Sequence, residues 1–100
     1  MARLKQITNG ATTSTGTIIL KSGPATFGGY RLNTDGTNAG SLIVRDANVS
    51  GDIIVDVSSV STISEYAPFY IPSGTIYYSI GGTGADCQLY EWLDTASNRS

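Results

Sequence analysis

Six Lys and Arg against eight Asp and Glu in 100 residues give a net charge of −2, too few cations to track a phosphate backbone, so nucleic acid is not an expected partner. Forty per cent of the residues are apolar, enough for one core, and no stretch of about 20 of them exists to span a membrane. There is no histidine, which removes the commonest general base and transition-metal ligand, and a single cysteine, Cys87, which cannot close an internal disulfide.

Charged residues make up 14% of the chain, against about 25% in an average domain. Gly, Ser and Thr take their place, favouring strands and turns over helices. Scarcity of Lys and Glu is also a property of surfaces that meet other proteins.

Residues 1–14 have weak periodicity, two cations (Arg3, Lys5) and a Ser/Thr run from Thr12. They read as an N-terminal arm, with no apolar run behind the charges to make a secretory signal. The first strand is predicted at 17–21, closed by the Ser22-Gly23-Pro24 turn. Residues 26–32 form the next, and Gly28-Gly29 within it signals a bulge or a close backbone approach. Asp35-Gly36 then predicts a hairpin leading into a strand at 41–46. Asn48-Val49-Ser50-Gly51 turns the chain into a strand at 52–57. Residues 66–72 read as an extended edge segment because Pro68 and Pro72 each remove a ladder donor. Strands at 75–80 and 86–93 flank the Gly81-Gly82-Thr83-Gly84 turn. The expected fold is all-β: an arm (1–14), a single small antiparallel β-sandwich or jelly roll of seven to eight short strands (15–94), and a flexible polar tail (95–100).

Strand alternation assigns faces. Ile18, Leu20, Leu42, Val44, Ile53, Val55 and Val57 are expected inside, completed by Leu32, Ile71, Ile76, Tyr78, Ile80 and Leu89. The same alternation turns Ile19, Ile43 and Ile54 outward as a possible apolar stripe, a candidate oligomer or docking interface unless a loop or the arm covers it. Tyr90 and Trp92 share a strand face with Gln88, a second candidate surface for a protein partner or a sugar unless at least one of the two rings belongs to the core.

Chemistry is hard to build from these residues. Cys87 lacks a predicted helix N-terminus or cation to activate it and reads as core packing or as an exposed, unreactive thiol. Asp52 and Asp56 fall about 13 Å apart along one strand, too far for a glycosidase pair. Asp46 and Asp52 flank a turn and read as solubilising acids. The 33–38 loop has Asn and Asp but lacks the closing Glu of a calcium loop. The chain is expected to be no enzyme and to need no cofactor or metal.

From Ser22 to Leu93 the chain resembles small bacteriophage virion proteins of the capsid decoration or cement type. The resemblance rests on Ser22-Gly23-Pro24-Ala25-Thr26-Phe27-Gly28-Gly29, Thr34-Asp35-Gly36-Thr37-Asn38-Ala39-Gly40, Leu42-Ile43-Val44-Arg45-Asp46, Ser50-Gly51, and the run from Gly74 to Ala85. The Ser-rich 58–64 connection and Trp92 lie outside that pattern. The resemblance implies a β-sandwich in the virion, assembled in a bacterial cytoplasm and docked on the major capsid protein as a homo-oligomer, commonly a trimer. It carries over no site residues; Arg3 and Lys5 are docking candidates on charge alone. The alternatives are a carbohydrate-binding β-module using the exposed aromatics and a phage tail or neck component.

Overall fold

The computed structural model describes residues 2–8 and 10–94. Eight strands follow in order: β1 (Ala2–Gln6), β2 (Gly16–Ile19), β3 (Ala25–Asn33), β4 (Gly40–Asp46), β5 (Ile53–Ser59), β6 (Ile63–Ile71), β7 (Thr75–Gly81) and β8 (Asp86–Asp94). They form two antiparallel four-stranded sheets, β1-β8-β3-β6 and β2-β7-β4-β5. Within these pairings lies a nested set: β4 with β5, β3 with β6, β2 with β7 and β1 with β8. The chain is therefore a long two-stranded ribbon, doubled back at the 47–52 turn and rolled so that successive ribbon segments alternate between sheets. That is the jelly-roll winding of a β-sandwich.

Side chains from both sheets fill the space between. Phe27, Leu32, Leu42, Val44, Ile71, Ile76, Cys87 and Leu89 are fully buried, and Tyr30, Val55 and Tyr78 nearly so. Ile18, Leu20, Val57 and Ile80 pack against them from the margins. Removing a buried leucine such as Leu42 from so small a core costs about 2–5 kcal/mol. Polarity inside is confined: the Tyr30 hydroxyl donates to Glu65 Oε1 at 3.5 Å, where burial and then Glu65 raise the phenol's pKa.

Three expectations need correction. Residues 2–6 are not an arm: β1 pairs along its whole length with β8, Leu4 opposite Trp92 and Lys5 opposite Glu91. Ile7 N and Thr12 N continue onto Leu89 O and Cys87 O, tying the following segment down too. The Asp35-Gly36 loop closes no hairpin, because β3 and β4 lie in different sheets. The Asp35 carboxylate accepts from Thr37 N and Asn38 N at 2.8 Å each, making a compact bend that carries the chain across. Finally, a β-bulge between β4 and β5 sets Val44 opposite Val55 but Arg45 opposite Ile53. The extra residue reverses the alternation, so Ile53 is half exposed and Ile54 packs against the core. The expected tail, 95–100, lies outside the described residues.

Candidate functional site: an aromatic sheet face

The outer face of β1-β8-β3-β6 is built around the glycine pair of β3. The β3 ladder shifts register between Phe27 and Gly29 against both neighbours, the bulge that Gly28-Gly29 signalled. Gly29 has φ +114, and a Cβ there would fall onto the Glu65 carbonyl oxygen. No other residue type fits. Its lack of a side chain leaves an open row across the sheet: Gln6, Tyr90, Gly29, Tyr66. Two tyrosines on either side of a glycine can lean over it, and the Tyr66 and Tyr90 rings meet edge to face at 5.3 Å and 75°.

One row further along, Leu4 stands opposite Trp92. A Cβ at Gly28 would come within 2.7 Å of Leu4 Cδ2 and 2.9 Å of Trp92 N, so the second glycine is the floor on which Leu4 rests. Leu4, Tyr66 and Tyr70 are exposed, while Tyr90 and Trp92 are half-buried. Toward the other end the face turns polar through the row Ser64, Arg31, Gln88. There Arg31 Nε donates to Asn33 Oδ1 at 2.9 Å and Asn33 Nδ2 to Asp86 Oδ1 at 2.7 Å. Burial raises the Tyr90 phenol's pKa, Tyr66 adds to the rise and Arg31 opposes it, so the hydroxyl stays protonated and able to donate at neutral pH.

Tyr90 and Trp92 share one face with Gln88, as alternation gave, and that face is an outer one on which both are half-buried. Tyr66 and Leu4 complete that surface and were missed as site residues: Leu4 because its segment read as an arm, Tyr66 because its partner lies across a glycine 37 positions away in sequence. Arg3 and Lys5 are exposed on the β1 edge, alternating with Leu4 and so outside the aromatic cluster. The isoleucine stripe does not form. Ile19 pairs at Thr75 whereas Ile43 pairs at Ser79, four residues further along β7, and Ile54 points the other way.

Asp46 Oδ1 accepts from Ser73 N at 3.2 Å and Ser73 Oγ at 2.7 Å, a turn clamp. The Cys87 thiol is pushed up to about 12 by burial and then by Asp86, leaving no thiolate for nucleophilic attack at neutral pH. A shallow cleft of about 400 Å³ between Thr13 and the Gly81–Asp86 turn has Asp86 as its one ionisable lining residue. The chain matches no protein family, no curated protein and no solved structure at a significant level.

Proposed function

We propose that the chain is a non-catalytic structural protein that docks on another protein through the outer face of β1-β8-β3-β6. The observation behind this reading is the Leu4, Tyr66, Tyr90 and Trp92 cluster: rigid aromatic anchors beside a polar margin, the composition of binding hot spots. The sheet edges favour face docking over strand addition. β1 carries Arg3 and Lys5, β2 is four residues long, β5 is bulged and β6 contains Pro68, each a device that discourages a further strand.

The resemblance to capsid decoration proteins extends this reading to the outside of a bacteriophage particle, with the major capsid protein as partner. A capsid repeats its binding site many times, so modest affinity per site suffices when several copies attach together. Antibody labelling of purified particles tests the placement. Gold over the capsid supports it; gold confined to the tail or neck, or its absence from particles, refutes it.

A glycan is the second reading, since Tyr and Trp beside Arg31 and Gln88 also suit sugar stacking. The 75° angle between Tyr66 and Tyr90 disfavours it, because a sugar platform presents open, roughly coplanar ring faces. Titration of tryptophan fluorescence with a glycan panel separates the two, and a saturable response would favour the sugar.

A further inference from the structure

The opposite side of the sandwich carries a different surface. On the outer face of β2-β7-β4-β5, the row Thr17, Tyr77, Arg45, Ile53 runs from edge to edge. Ile19 lies one alternation step beyond it on β2, 73% exposed, and Ile53 is 50% exposed. Val49, 62% exposed, stands in the β4–β5 turn at the same end. That turn is firmly held. Asp46 N donates to Asp52 O at 2.9 Å, Ala47 N to Thr75 O at 2.8 Å, Gly51 N to Asn48 O at 2.9 Å, and Arg45 Nη1 to Gly51 O at 3.0 Å. Ala47 is locked at φ +71 within it. Val49 is therefore presented by a stiff mount.

We infer that this face seats a second copy of the chain, sheet against sheet about a twofold axis, with Ile19, Tyr77, Ile53 and Val49 as the apolar contact. The charge pattern selects the occupant. Arg45 and Asp56 are the two charged side chains that the strands of this face turn outward, one of each sign, flanking half-buried Ile43. A twofold operation can set Arg45 of one copy against Asp56 of the other twice over, which makes the face complementary to itself. Four strands about 4.8 Å apart and seven residues at about 3.3 Å give a face of roughly 19 by 23 Å. That is about half the 800 Å² per partner of a standard interface, so association is weak and reversible. Nothing in this pairing depends on what the aromatic face binds.

Sedimentation velocity of the purified chain from about 1 to 500 micromolar reads it directly. A concentration-dependent dimer is expected, and Ile19→Ser with Ile53→Ser should weaken it at least about tenfold while circular dichroism stays unchanged. Arg45→Asp and Asp56→Arg should each weaken self-association, and mixing the two variants should restore it as a heterodimer. Asp56→Arg alone brings like charges together and leaves the Arg45 loop contact intact, so it decides the matter even where Arg45→Asp disturbs the turn. A monomer across the whole range, a trimer, or an Asp56→Arg variant that associates like the parent overturns the twofold pairing.

Discussion

Ala47 holds φ +71 because three neighbouring backbone hydrogen bonds, from Asp46, Ala47 and Asn48, fix the turn around it. A left-handed conformation costs an L side chain about 1–2 kcal/mol, partly offset by the greater unfolded-state freedom of glycine. Ala47→Gly should therefore raise unfolding stability by about 0.5–1 kcal/mol in urea titration. Gly29→Ala should do the reverse, losing at least about 2 kcal/mol, because it combines a strained φ with a clash against the Glu65 backbone. Asp35 has a pH signature. Hydrogen bonds from the backbone of Asn38, then that of Thr37, then the Asn38 side chain hold its carboxyl below the usual range. With the folded pKa depressed, its contribution is full above the unfolded value near 3.9 and is lost as pH falls through the folded pKa. The stability gap between the parent and Asp35→Asn should thus be widest at neutral pH and close in acid; a gap unchanged down to low pH would contradict the role. Much of this residue-level chemistry was legible in advance. Asp35 reads as a turn former and does make a bend, though not the hairpin expected of it, while the strain at Ala47 had no sequence signature.

At the scale of elements, alternation worked wherever the ladder is regular. Leu42, Val44, Ile76, Tyr78 and Leu89 are buried as their periodicity demanded. It failed on β5, where one bulged residue exchanges the roles of Ile53 and Ile54. A bulge depends on the partner strand, so a run such as Ile53-Ile54-Val55 contains nothing to announce it. The β1 error has a similar origin. Arg3-Leu4-Lys5 alternates, but its reason for being a strand is β8, nearly ninety residues away, with Gly28 making room for Leu4. The arm and the strand make opposite predictions. Deleting residues 1–6 should lower stability by several kcal/mol, by exposing the β8 edge and uncovering Gly28. An arm would come off with no change in the denaturation midpoint.

For the molecule as a whole, the nested winding makes most pairings distant in sequence. Among the described strands, β4 with β5 is the one hairpin between consecutive strands; β1 with β8 closes nearly the whole chain. Such topology folds slowly, in milliseconds to seconds, and a stopped-flow refolding phase well below a millisecond would contradict it. Turn residues located most strand boundaries, but Asp35-Gly36 signals only a bend and cannot say whether the chain pairs back or crosses to the other sheet. The winding places the two apolar faces on opposite sides of the sandwich, one aromatic and one aliphatic, which suits a protein that meets a partner on one side. The most direct test of the proposed docking role is co-sedimentation of the purified chain, wild type and Tyr66→Ser/Trp92→Ser, with bacteriophage particles that lack it. The account predicts that the wild type pellets with the particles while the folded double variant stays in the supernatant. Equal pelleting of both would contradict docking through the aromatic face.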